Sequence, residues 1–142
     1  PRSGVPVAFV EAGTGPGAGK EESNGESRSN AGEAARVMSI LDGVLEAQGG
    51  LSCADVGIVS PYAGQVRLLR RLWQERTARG GRHAGRADAK SLEIATVDSF
   101  QGREKEMIIF SAVRNNRAGR LGFLADWRRL NVMLTRARRG LV

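Results

Sequence analysis

The sequence has 142 residues, 41% hydrophobic and 26% charged, with a formal net charge of +7. That is enough chain for one domain with a sizeable core and short for two, and too apolar for a disordered segment. No apolar run approaches the roughly 20 residues of a membrane-spanning helix, the N-terminus lacks the leader and length of a signal peptide, and the single cysteine, Cys53, excludes an internal disulfide and a zinc-binding pair.

An intracellular compartment, nucleus or cytoplasm, fits this cysteine usage, and a start without Met is expected of a piece cut from something longer. The charge is unevenly spread. Residues 1–63 hold 4 basic and 8 acidic side chains, residues 64–142 hold 18 and 7. Such asymmetry points to a polyanion partner for the second half, although a solvated basic surface has the same composition.

Val5–Val10 is a short apolar run with β-branched residues and predicts a strand. Residues 13–30, GTGPGAGKEESNGESRSN, predict a flexible loop. Within it, Thr14–Glu21 is a near miss to a phosphate-binding P-loop. That pattern needs a first Gly and a Ser or Thr after the Lys, and here Thr14 and Glu21 hold those places. Ala31–Ala47 predicts a helix: Ala34, Val37, Met38, Leu41, Val44 and Leu45 recur at three and four, and Gly49-Gly50 stops it. Val56–Val59 predicts a buried strand, and Pro61 suits the first turn of a helix with the stripe Val66, Leu69, Leu72 and Trp73. Residues 76–90, RTARGGRHAGRADAK, predict a basic, flexible loop in which His83 is solvated. Leu92–Val97 and Met107–Val113 predict two more buried strands, residues 114–125 a loop, and Asp126–Arg139 a helix with Leu130, Met133, Leu134 and Ala137 inward. Gly140 would end that helix before Leu141-Val142 opens another strand.

Alternating strands and helices predict an α/β domain with a mainly parallel sheet. Ligands of such sheets bind beyond the carboxyl ends of the strands, which directs attention to Ser60-Pro61-Tyr62, Thr96–Glu104 and the loop after Val113. Between two core strands, Gly102 permits close backbone approach. Glu104 can accept from a ribose hydroxyl, and backbone amides with the Thr96 hydroxyl can hold a phosphate. A polar turn capped by Asp98 accounts for the same residues. In RRLNVMLTRARRG a helix puts Arg129 and Arg136 on one side. A fixed guanidinium there suits neutralisation of a transferring γ-phosphoryl, or simply a solvated basic face. Ser60, Pro61 and Tyr62 suit a nucleic-acid backbone, or plain capping of the next helix.

Taken together, VGIVSPYAGQ, LEIATVDSFQGREKEMIIFSAVRNN and LGFLADWRRLNVMLTRAR resemble motifs IV, V and VI of superfamily 1 helicases, in order. The likeness is to the branch containing the nonsense-mediated-decay RNA helicase, senataxin and their DNA-acting relatives, and it runs from Val5 to Val142. It implies a three-layer RecA-like domain of the P-loop NTPase superfamily, the second motor domain of an ATP-dependent RNA or DNA helicase. Residues 1–142 would form that one domain, truncated at both ends. ATP with Mg2+ would sit in the cleft against the N-terminal RecA-like domain of the same protein, which would supply the magnesium ligands. The resemblance assigns Gln101, Gly102, Glu104, Arg136 and Arg138 to ATP, with Glu104 on the ribose and Arg136 as arginine finger. It assigns Ser60, Pro61, Tyr62, Thr96, Val97 and Asp98 to single-stranded RNA or DNA. The first domain's motifs are missing, so the fragment alone is not expected to hydrolyse ATP. The alternative is a non-catalytic nucleic-acid-binding module derived from such a domain; a protein-interaction domain has only the basic surface in its favour.

Overall fold

A short, mostly apolar stretch, Val56-Gly57-Ile58-Val59-Ser60, takes the centre of the fold. In the computed structural model, which describes residues 6–11, 22–24, 27–47, 50–114 and 122–142, every residue of this strand is buried. In chain order the elements are β1 (Glu22–Asn24), β2 (Ser27–Ser29), α1 (Ala31–Glu46), β3 (Val56–Ser60), α2 (Ala63–Thr77), β4 (Glu93–Thr96), β5 (Lys105–Phe110), α3 (Trp127–Leu134) and β6 (Ala137–Leu141). The main sheet runs β4-β3-β5-β6, with each neighbouring pair parallel. Beyond β6, Val7 bridges Leu141 in parallel. Ala8 N donates to Leu141 O at 2.9 Å and Leu141 N to Pro6 O at 3.0 Å.

Alternate side chains of the sheet feed two cores. Val56, Ile58, Ile94 and Ile109 pack under α1 and α2, against Val37, Met38, Leu41, Leu69 and Trp73. Val59, Ala95, Ile108 and Leu141 pack on the other face against Val97, Phe100 and Met133. Helices over both faces of a parallel sheet make the α/β domain that the alternating sequence predicts, in the three-layer, RecA-like form that the motif resemblance implies. Among the described residues no helix is long and apolar enough to cross a membrane.

Three features differ from the sequence expectations. The last helix stops at Leu134, not Arg139, and Ala137–Leu141 is strand. Parallel pairing of β6 with β5 wins over helical spacing, because β5 needs a neighbour: Lys105 N donates to Arg136 O at 3.2 Å and Val142 N to Ile108 O at 2.9 Å. Arg136 and Arg138 therefore do not lie on the helix. Residues 22–29, inside the predicted 13–30 loop, carry the antiparallel pair β1 and β2, and Ser27 Oγ accepts from Gly64 N at 2.6 Å in the first turn of α2. The near-miss P-loop, Thr14–Glu21, and most of the 114–125 loop lie outside the described residues.

The third difference is His83, which is buried rather than solvated. Its Nε2 lies 2.9 Å from Asp42 Oδ1, and its ring meets Trp73 at 5.4 Å between centroids. Asp42 belongs to α1, 41 residues away in the chain, a partner that sequence proximity cannot supply. Arg76 also pairs with Asp42 at 3.3 Å, and Arg82 grips Glu46 through Nε at 2.6 Å and Nη2 at 2.8 Å. Much of the basic charge of 76–90 is thus spent on α1.

The same segment gives a pH dependence. Asp88 accepts from Arg86 Nε at 2.6 Å and from Cys53 N at 2.8 Å. The Arg86 bond first, then the Cys53 amide, hold its carboxyl below the usual carboxylate range. A folded pKa below the unfolded value of about 3.9 stabilises above that value, and the contribution is lost as pH falls through the folded pKa. Asp88→Asn is expected to lose less melting temperature than wild type between about pH 5 and pH 2. Equal acid slopes in the two proteins would show that this pair carries no linkage.

Candidate nucleotide and nucleic-acid site

Two clusters of polar residues sit at opposite ends of the sheet. At the carboxyl end, Ser60 and Thr96 finish β3 and β4 in register, and Val97 N donates to Ser60 O at 3.3 Å. Ser60 Oγ accepts from Tyr62 N at 3.4 Å, which turns the chain through Pro61 into α2. The Thr96 hydroxyl donates to Ser99 Oγ at 2.8 Å and accepts from Ser99 N at 3.3 Å, closing the turn after β4. Ser60 and Val97 are buried, Pro61, Tyr62 and Thr96 half-buried, and Asp98 exposed. The side chains of Ser60 and Val97 thus shape this surface from beneath, and Tyr62, Thr96 and Asp98 face outward.

Arg114 joins them, a residue to which the sequence reading gave no role. A Cβ placed on Gly122, which is left-handed at φ 56°, would lie 2.9 Å from the Tyr62 hydroxyl and 3.5 Å from Nε and Cζ of Arg114. Glycine is needed there for both reasons. Its absence of a side chain leaves room for an aromatic hydroxyl and a guanidinium on either side.

At the amino end, the first residues of β5 and β6, Lys105 and Ala137, are paired. This register places Glu104 beside Arg136 and Arg138. Arg138 Nε donates to Glu104 Oε2 at 3.0 Å, and its Nη1 lies 3.7 Å from Glu106 Oε1. The Glu104 hydrogen bond, then its charge, raises the Arg138 pKa further. Arg136 is half-buried. It donates through Nε to Val132 O at 3.0 Å and through Nη2 to Thr135 Oγ1 at 3.3 Å, two of the five N–H donors of a guanidinium.

The expectation that all of Thr96–Glu104 lies at the carboxyl ends is therefore corrected. β4 and β5 are parallel to β3 and lie on either side of it, so their connection must cross β3 and return to the opposite end. Phe100 makes the crossing: a Cβ on Gly57 of β3 would lie 2.9 Å from Phe100 Cζ, so only glycine admits the ring this closely. Gln101 and Gly102 follow, both exposed. Gly102 is left-handed at φ 80° with open space around a built Cβ, so the turn itself demands glycine. Arg103 pairs with Glu93, and Lys105 Nζ lies 3.6 Å from Glu93, at the amino end of β4. A single eight-residue stretch, Val97–Glu104, thus joins the Thr96 end to the Glu104 end.

An exposed carboxylate paired with one guanidinium, with a second arginine two residues away in the chain, is a donor and acceptor set that suits a ribose hydroxyl and phosphates. Glu104, Arg136 and Arg138 thus fit the nucleotide that the motif resemblance implies. They would hold it at the amino ends of β5 and β6.

The sequence matches, over residues 1–142, the family profile described as an AAA domain. It is 44% identical over 116 residues to DNA polymerase alpha-associated DNA helicase A of Schizosaccharomyces pombe, covering 82% of this chain and 16% of that protein. It is 41% identical over 119 residues to the DNA-binding protein SMUBP-2 of Rattus norvegicus, covering 84% of this chain and 11% of that protein. To the regulator of nonsense transcripts 1 homolog of Neurospora crassa it is 42% identical over 126 residues, 87% of this chain and 11% of that protein. The chain thus spans a small part of the length of the relatives it matches.

Proposed function

The chain belongs to the AAA-domain family that matches its whole length and is the C-terminal RecA-like domain of a superfamily 1 helicase of the nonsense-mediated-decay branch, and from that premise we propose that it works as the second motor domain of an ATP-dependent RNA or DNA helicase. ATP with Mg2+ binds in a cleft against the N-terminal RecA-like domain of the same protein. Glu104 accepts from the ribose, Gln101 and Gly102 line the site, and Arg136 neutralises charge on the transferring phosphoryl with Arg138 beside it. Single-stranded nucleic acid runs over Ser60-Pro61-Tyr62 and Thr96-Val97-Asp98. The protein acts inside the cell, in nucleus or cytoplasm.

The observation that carries this reading is the short Val97–Glu104 connection between the two clusters. A shift of Thr96 and Asp98 against a bound strand is transmitted through Phe100 to Glu104, and closure on nucleotide is transmitted back. Binding to the strand is mainly electrostatic and weakens steeply with salt.

The test uses the full-length protein. ATP turnover is measured with and without single-stranded RNA and single-stranded DNA, and stimulation of about tenfold or more by one of them is expected. A protein that binds either strand without any turnover would be a non-catalytic nucleic-acid-binding module instead.

A further inference from the structure

At the carboxyl end of β5 the backbone is strained. Val113 has φ 70°, a left-handed conformation that is an outlier for a β-branched residue and costs free energy. Its side chain is fully buried. Two side chains from the start of α1 hold it there. Val113 N donates to both Glu33 oxygens, at 3.0 and 2.9 Å. Asn30 Nδ2 donates to Val113 O at 3.3 Å. Glu33 Oε1 also accepts from Ser111 Oγ at 2.7 Å, and Ser111 Oγ accepts from Gln65 Nε2 at 3.0 Å. Gln65 closes the circuit: its Oε1 accepts from Asn30 N at 2.9 Å and its Nε2 donates to Asn30 O at 3.3 Å.

Asn30, Gln65 and Ser111 are all buried. A satisfied polar network in a low-dielectric interior fixes one geometry, because each alternative leaves a buried group unmet. What this one fixes is the exit from β5. The next residue is Arg114, whose guanidinium lies with the Tyr62 hydroxyl around Gly122. Gln65 ties the same network to the first turn of α2, three residues after Tyr62.

We propose that Asn30, Glu33, Gln65 and Ser111 form a positioning device that holds Val113 in its left-handed conformation and so sets Arg114 beside Tyr62 on the strand-binding face. Glu33 is its centre, the one side chain that accepts from Val113 and Ser111 together. The inference rests on the reading that this face takes single-stranded nucleic acid. It adds four residues that touch no ligand and act through the two that face it.

The test again uses the full-length protein. Glu33→Gln keeps the shape of the side chain and replaces one acceptor oxygen with a donor. Anisotropy with a labelled single-stranded oligonucleotide, of RNA or DNA whichever wild type prefers, is expected to give a Kd about tenfold higher. Turnover at saturating strand is expected to change less than threefold. Val113→Gly then separates positioning from damage, since glycine adopts φ 70° without strain. Against a Val113→Gly background, Glu33→Gln is expected to raise Kd less than threefold. The same tenfold rise in both backgrounds, or no rise in either, would overturn the inference. If Glu33→Gln does not fold, Ser111→Ala is compared across the same two backgrounds, with a smaller rise of about threefold expected only where Val113 is present. Wild-type protein that neither binds a strand nor turns over ATP would overturn the helicase reading, and this inference with it. Wild-type binding that Glu33→Gln leaves unchanged would overturn this inference alone.

Discussion

Arg136→Ala in the full-length protein is expected to lower strand-stimulated ATP turnover about a thousandfold or more, the range in which arginine fingers act. The reason for choosing Arg136 over its neighbour is charge compensation. Arg138 is paired with Glu104 at 3.0 Å and lies near Glu106, so much of its charge is already answered. Arg136 has no carboxylate partner among the described residues, and its guanidinium bonds go to one carbonyl and one hydroxyl of its own turn. Its charge is therefore available to a phosphoryl group, and the local bonds aim the fork. Arg138→Ala should cost about tenfold, through a less well held Glu104. Because Arg136 is half-buried and bonded only within its turn, its loss should cost about 1 kcal/mol or less of stability. Folding and strand binding thus remain as controls. Turnover within tenfold of wild type in Arg136→Ala would remove the arginine-finger assignment.

Phe100→Ala is expected to have the largest effect on stability, about 3–5 kcal/mol by urea denaturation. A domain of this size has about 5–15 kcal/mol in total, so the variant would lie close to unfolding. The ring is 1% exposed and fills the gap over Gly57, within the second core with Val59, Ala95 and Ile108. Its amide also closes the turn after β4, to Thr96 O at 2.9 Å. A loss below about 1 kcal/mol would mean that the connection is not anchored where the ring lies. Nothing would then hold the two ends of the Val97–Glu104 stretch in fixed relation.

Much of this was legible in the sequence, for identifiable reasons. α1 and α2 carry apolar residues at helical spacing, and β3 is apolar on both faces, so period alone located them. The switch from α3 to β6 was not legible. Leu130, Met133, Leu134, Ala137 and Leu141 keep a spacing of three and four straight through the boundary, and only the vacant place beside β5 makes the last five residues of that run a strand. His83 was misread because its partner Asp42 comes from another helix. The candidate site residues on motifs V and VI rest on their resemblance to a family. Their division between the two ends of the sheet required knowing that β4 and β5 flank β3. The Glu33 network was missed because an acidic residue in a first turn looks like an ordinary response to the helix dipole. One signal was present: Gln65 precedes Leu69 by four and Trp73 by eight, which places an amide on the buried stripe of α2.

The neighbouring Val7 and Leu141 have a mechanical consequence. The two segments run parallel, so a pull entering before Pro6 and leaving after Val142 draws them along their length in opposite directions. The bonds from Ala8 to Leu141 and from Leu141 to Pro6 are then loaded together, in shear, and not one after another as in unzipping. A domain joined to its neighbours through this edge would resist tension by sharing load.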